Sequence, residues 1–473
     1  MSGMNAWSCR SLTLEDDSLS NLGCIDIVRI IPGDASVSIE WSDKDINEIN
    51  DKAYYKVAYK KRGDTGIKET VCGNDPVGRV EIDRLHNGVD YEVYVSAEDP
   101  ATGRILGKSH ARLFRTGTVP GVIINYVHPN DPSYRLAGHF IGSPSIVKLG
   151  DGRLVASHDL FAIGADQNLS KIYRSEDGGA SWEYLTDLYP CFWGKLFIHK
   201  EALYMLSMST EYGELLIGRS DDGGETWTAP RSILPGKSCG EGAPHKGPMP
   251  VVPYKGRLWT VIDYLWENKG YVHGIASVPE DSDISEPKNW TVSPFPLYNP
   301  GGPGSVLEGN VVVSPDGGLV IVPRYIPAAN LPDYGLTALF RIDSGNPSAY
   351  PAFIRTVKFH GNSSKFTVQQ DKKSQKYWAL VNRVTLNDIK QRNIVTLVCS
   401  DDLEKWDLVR DVINLQDNGW PEDHTEAAFQ YLDWIIDEND ILAVSRTAIN
   451  GADSFHNANH LTFHRIEDFR NMV

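Results

Sequence analysis

Tyr204–Trp227 reads YMLSMSTEYGELLIGRSDDGGETW. Its first half is a strand pattern opened by Tyr204, and Arg219 stands immediately before a turn. That turn, Ser220-Asp221-Asp222-Gly223-Gly224-Glu225-Thr226-Trp227, follows the pattern S-x-D-x-G-x-T-W. The chemistry is local. Asp222 is placed to accept backbone N–H groups inside the loop, the glycines take up positive φ, and the tryptophan supplies a large apolar ring to bury. A near-copy, Ser175-Glu176-Asp177-Gly178-Gly179-Ala180-Ser181-Trp182, lies 45 residues earlier. Two such octapeptides at that spacing imply a structural repeat with the period of a β-propeller blade.

Similar turn signals recur from residue 121 to the end. They are Leu149-Gly-Asp-Gly-Arg-Leu154, Tyr254-Lys-Gly-Arg-Leu-Trp259, Ser314-Pro-Asp-Gly-Gly-Leu319 and a degenerate copy, Ser400-Asp-Asp-Leu-Glu-Lys-Trp406. No long amphipathic helix interrupts them. At about 50 residues per blade this region makes seven blades, or six longer ones. Residues 25–118 read differently: Val37–Trp41 and Tyr55–Tyr59 alternate as half-buried strands, and Thr116-Gly-Thr-Val-Pro120-Gly121 reads as a linker. The expected fold is therefore all-β, with a tail over 1–24, a β-sandwich over 25–118 and a propeller over 119–473.

Composition narrows the function classes. The chain has 473 residues, 41% apolar and 23% charged, with 42 glycines and 12 tryptophans, which fits many short strands joined by tight turns. A net charge of −16 argues against nucleic acid or an anionic membrane surface as the main partner. A locally basic site for an acidic sugar remains compatible with it. Six scattered cysteines without C-x-x-C spacing imply neither a zinc ribbon nor a disulfide framework. The first 24 residues lack the apolar run of a signal peptide, so the expected compartment is the cytoplasm, or an extracytoplasmic one if a leader was removed.

Two resemblances sharpen these expectations. Leu85-His-Asn-Gly-Val-Asp-Tyr91-Glu-Val-Tyr-Val-Ser-Ala97 resembles the signature of a fibronectin type III domain, in which Trp41 takes the core position and Tyr91 the tyrosine corner. The S-x-D-x-G-x-T-W turns are Asp boxes, the mark of sialidase-like (BNR-repeat) propellers. A sialidase carries R-I-P where this chain has Gly142-Ser143-Pro144, so one arginine of its carboxylate-binding triad is missing. The series His139-x-Ile-Gly-Ser-Pro-Ser, Ser157-His158-Asp159, Leu203-Tyr204 and Arg219 before the Asp box instead resembles ulvan lyases and L-rhamnose-α-1,4-glucuronate lyases. That resemblance implies a polysaccharide lyase acting by β-elimination, with His139, His158, Tyr204 and Arg219 catalytic.

The residue types suit that chemistry. An arginine neutralises a uronate carboxylate through paired hydrogen bonds, which acidifies the C5 proton and stabilises the enolate-like charge that follows. Histidine serves as base and tyrosine as proton donor to the leaving oxygen. The Gly/Pro-rich loop Glu241-Gly-Ala-Pro-His245-Lys246 is expected to present His245 and Lys246 at the channel rim, and Arg324 is a further carboxylate ligand. Each residue also has an ordinary structural role open to it: surface ion pair for Arg219, interblade core for Tyr204, buried histidines for His139 and His158. A glycoside hydrolase using Asp159, Glu241 or Glu308 is the alternative, and a non-catalytic glycan-binding propeller a third reading. No cofactor is required. His456, His460 and His464, with His424 or Cys399, supply the imidazole and thiolate that suit a structural zinc, but their spacing matches no closed zinc motif. The expected partner is an acidic polysaccharide or oligosaccharide.

Overall fold

A computed structural model describes residues 6–7, 25–43, 53–131, 137–237, 241–267, 269–297, 304–327, 331–415 and 423–473. The tail over 1–24, apart from residues 6 and 7, lies outside them, as do Cys9, Cys24 and Cys239.

The N-terminal strands pair into two antiparallel sheets. One holds Asp26–Gly33, Ser36–Ser42 and Val77–Ile82. The other is built on Tyr54–Lys61 and Asp90–Glu98, with Lys68–Gly73, Ile105–Lys108 and Arg112–Arg115 added at their edges. Alternating side chains from both fill one core around Trp41, which stacks on Tyr55 at 6.2 Å. The Tyr91 hydroxyl accepts the His86 N–H at 2.9 Å, tying the second sheet to the loop before it.

Among the described residues the rest of the chain forms six antiparallel sheets, not seven; four have four strands, and in two a short extra strand makes five. Numbered in chain order, the blades begin on innermost strands Ser145–Lys148 (preceded by the short Phe140–Ile141), Phe192–His199, Val252–Tyr254 (preceded by Ala243–His245), Ser305–Val313, Thr367–Gln370 and Ala428–Asp437. The expectation of seven assumed a blade of about 50 residues; the long loops between strands make each blade longer. Blade 6 takes its outermost strand, Val122–Tyr126, from the start of the propeller, so the ring is closed by pairing with His460–Ile466. Second and third strands such as Ala202–Met208 and Ile394–Ser400 are buried along their whole length, because each blade is covered on both faces by its neighbours. This explains why they read as continuous apolar runs rather than alternating ones.

The Asp boxes do what their chemistry predicts. Asp222 Oδ1 accepts the Thr226 N–H at 2.9 Å, Gly223 and Gly224 sit at φ 78° and 103°, and the Trp227 indole donates to Gly224 O at 3.0 Å. The box at Ser175–Trp182 repeats these bonds. In the degenerate copy Leu403 takes the left-handed position, at φ 67°, and Trp406 still donates to its carbonyl. Trp182 and Trp227 are both buried between sheets.

Candidate active site

The innermost strands converge on a central channel, and at one of its mouths lies a cavity of about 410 Å³. Five of the six blades contribute to its wall: Gly142 and Phe161, Trp193 and Glu211, His245 and Tyr271, Glu308 and Arg324, and Tyr431, Arg446 and His456.

One half of the wall is cationic. Arg324 Nη1 donates to Glu308 Oε2 at 3.2 Å and to the Tyr431 hydroxyl at 3.1 Å. The Arg446 guanidinium lies over the Tyr431 ring at 5.0 Å, and Arg392 stands behind the same ring at 5.8 Å. Three guanidiniums, buried for Arg392 and Arg446 and partly buried for Arg324, thus surround one phenol, and Glu308 pairs directly with Arg324. Burial draws Arg392 and Arg446 down to about 10, which leaves both cationic at neutral pH. The Nε–H groups of Arg324, Arg392 and Arg446 have no hydrogen-bond partner among the described residues. A carboxylate entering here meets donors that the protein itself leaves unused.

Asp159 sits behind Gly142. A Cβ at Gly142 would lie 1.9 Å from Asp159 Oδ1, so only glycine leaves room for that carboxyl group. Asp159 Oδ2 accepts the Trp193 backbone N–H at 2.7 Å, while Oδ1 has no hydrogen-bond partner among the described residues. Burial raises its pKa to about 6, against the opposing pull of the Trp193 N–H and the Arg446 charge. It is a carboxyl group that holds its proton into the range where a general acid works.

The opposite half is aromatic. The His245 ring meets Trp193 at 4.1 Å and Tyr271 at 5.3 Å, and the Tyr212 and Tyr271 hydroxyls lie 2.8 Å apart. His245 Nδ1 is held by Asp263 Oδ2 at 3.0 Å, and His273 takes the other oxygen at 2.9 Å.

Of the expected site residues, the structure brings His245 and Arg324 together at this mouth and leaves the others elsewhere. Tyr204 and Arg219 are cross-strand partners at the opposite end of blade 2, beside the Asp box. The hairpin that carries Glu211 to the mouth begins at the far end of Ala202–Met208, roughly 15 Å of strand away at about 3.3 Å per residue. Tyr204 is buried against Phe197 at 5.4 Å, and Arg219 is partly exposed and paired with Asp221 at 2.6 Å. His158 is buried, stacked on Tyr173, with Asn125 Nδ2 at 2.9 Å from its Nε2; burial lowers it to about 4. Strand alternation puts His158 and Asp159 on opposite faces of the sheet, and Asp159 lies on the side of Gly142, which lines the cavity. His139 packs on Phe140 at 4.3 Å, outside the cavity wall. Lys246 is not at the rim. It is buried, donates to the Gly247 and Met249 carbonyls, and shares the channel with Lys195, Lys365 and Asp433; burial lowers it to about 7. Glu241 is exposed at the end of its loop.

Tyr431, Arg392 and Trp193 had no motif to reveal them. Arg446, upstream of the C-terminal histidines, likewise carries no motif of its own. Among the described residues no group of three His, Cys, Asp or Glu side chains gathers as metal ligands would. His456 lines the cavity beside Arg446, whereas His460 and His464 are buried in the last blade.

No protein-family model matches the chain, and no curated protein matches it. Solved structures similar to it include an α-L-arabinanase from Penicillium chrysogenum complexed with arabinobiose, at 15% identity and a TM-score of 0.51 over 76% of this chain and 100% of that one. A leech intramolecular trans-sialidase complexed with 2,7-anhydro-Neu5Ac gives 9% identity and a TM-score of 0.49, covering 94% and 98%. An α-L-arabinofuranosidase from Fusarium graminearum with an iminosugar inhibitor gives 14% and 0.49, covering 74% and 98%. At these identities the arabinanase likeness establishes the propeller fold and nothing finer.

Proposed function

We propose that the chain is a glycoside hydrolase that cleaves the bond between a carboxylate-bearing sugar and the residue attached to its anomeric carbon. The observation that carries this reading is Arg324 bridging Glu308 and Tyr431 beneath a cluster of buried arginines, with Asp159 close by. The carboxylate docks on the guanidinium groups. Asp159 gives its proton to the glycosidic oxygen, so the leaving group departs neutral. Tyr431 attacks the anomeric carbon as Glu308 takes the phenol proton, forming a glycosyl-tyrosine. Water then attacks the same carbon as Asp159 takes its proton; the carbon–tyrosine bond breaks, Glu308 returns a proton to the phenolate, and configuration is retained.

The similar fold of an arabinanase is compatible with such an enzyme. Elimination across a uronate was expected on His139, His158, Tyr204 and Arg219, none of which lines this cavity. The sandwich, with its Trp41 core and Tyr91 corner, is read as a fibronectin type III-like module that braces the propeller. The test is digestion of glucuronate-containing oligosaccharides, following new reducing ends and ultraviolet absorbance together. Reducing ends without absorbance support hydrolysis. A new C4–C5 double bond restores the lyase, and binding without products leaves a glycan-binding propeller.

A further inference from the structure

The innermost strands of alternate blades share one irregularity. Phe192–His199 slips register between Phe192 and Lys195, Ser305–Val313 between Leu307 and Asn310, and Ala428–Asp437 between Gln430 and Asp433. Inside each slip one non-glycine residue adopts left-handed backbone: Trp193 at φ 51°, Glu308 at φ 53° and Tyr431 at φ 56°. Such conformations are disfavoured for residues with a Cβ and persist where the surroundings hold them, often at functional sites. A bulge also re-aims a side chain out of the pleat. All three residues line the same cavity, and two of them are the groups assigned to nucleophile and base above.

We infer that Trp193 is the third member of this set, the platform that receives the leaving sugar. Its backbone N–H holds Asp159 Oδ2 at 2.7 Å, so the ring lies on the residue that positions the proposed acid. The indole is partly open to the cavity and is propped by His245 at 4.1 Å and Tyr212 at 6.3 Å. Apolar C–H faces of a pyranose suit an aromatic face, whereas the arginine half suits a carboxylate. The substrate class that fits both halves is an oligosaccharide whose acidic unit occupies the arginine half, with a second, neutral ring on Trp193. This inference rests on the hydrolase reading and adds the second subsite to it.

The probes are free D-glucuronate and a glucuronosyl-rhamnose disaccharide with a non-hydrolysable sulfur-bridged linkage, titrated calorimetrically into wild type, Trp193→Ala, Trp193→Phe and Arg446→Ala. Wild type is expected to bind the disaccharide about tenfold more tightly than glucuronate, the gain typical of an aromatic contact. Trp193→Ala should lose that gain and leave glucuronate binding unchanged; Trp193→Phe should keep part of it. Indole emission should respond to the disaccharide in wild type and lose that response in Trp193→Phe. Should Trp193→Ala fail to fold, Trp193→Phe and the emission change decide. Equal disaccharide affinity in wild type and the Trp193 variants overturns the platform, and if glucuronate still binds through Arg446 the arginine site survives alone. Failure of wild type to bind either probe overturns both readings.

Discussion

At the residue scale, Asp159 makes the sharpest prediction because its environment sets a pH limb. A native pKa near 6 lies above the ordinary value of about 3.9, so the native state keeps a proton that the unfolded chain releases over that interval. Stability from this group is therefore fully present below about pH 4 and is lost as pH rises through about 6, by on the order of 3 kcal/mol. Activity should fall over the same upper range, since the acid is spent once deprotonated. Asp159→Asn should flatten the stability profile and lower kcat by about 10²–10⁴. A kcat profile that keeps its alkaline limb in this variant would remove Asp159 from the chemistry. Tyr431→Phe should lose turnover on a similar scale of about 10²–10⁴, whereas Tyr204→Phe and Arg219→Lys should retain wild-type turnover. Loss of activity in either of the last two would return the site to the Asp-box end of blade 2.

At the element scale, the Asp box is a small machine for crossing between two strands, and its glycines matter through φ rather than through space. A Cβ on Gly224 meets its nearest neighbours only at 3.5 Å, yet φ is 103°. Gly224→Ala should therefore destabilise by roughly 1–3 kcal/mol from backbone strain alone. Trp227→Ala removes the ring that packs on Trp7 at 6.1 Å and fills the space between blades 1 and 2, and should cost about 3–5 kcal/mol. Denaturant midpoints measure both. A Gly224→Ala cost near zero would show that the loop can re-form with a different turn. These boxes lie on the face opposite the candidate site, so neither change should alter KM in the folded fraction.

At the scale of the whole molecule, the junction between sandwich and propeller is part of the packing. The Thr116 hydroxyl donates to His86 O at 2.6 Å, and the Gly117 N–H to Gly33 O at 3.0 Å. Arg29 reaches from the sandwich to Ile124 O at 2.7 Å while paired with Glu40 at 3.0 Å, and Arg112 pairs with the buried Asp131. The expected result is one calorimetric transition and resistance to proteolysis over residues 116–121. Arg29→Ala removes the bond to Ile124 O and leaves Glu40 with Arg79 alone, 3.7 Å away, which should cost about 1–3 kcal/mol. Two separate melting transitions in wild type would show that the two parts fold independently.

Local chemistry was legible in the chain itself. The Asp boxes, the strands, the sandwich core around Trp41 and the Tyr91 hydroxyl bond all depend on residues close in sequence or on period-two alternation, and these determine all-β structure without a tertiary map. His245 was legible as a rim group in a Gly/Pro-rich loop, and Arg324 as a further carboxylate ligand. Blade count, and the company the candidate site residues keep, were decided only by ring closure. Glu308, Arg392, Tyr431 and Asp159 come from four blades and lie up to some 270 residues apart. Their meeting depends on bulges whose left-handed residues are ordinary-looking Trp, Glu and Tyr. Tyr204 and Arg219 stand beside the most recognisable motif in the chain, but the strand that joins them to the mouth carries them to the other end of the blade.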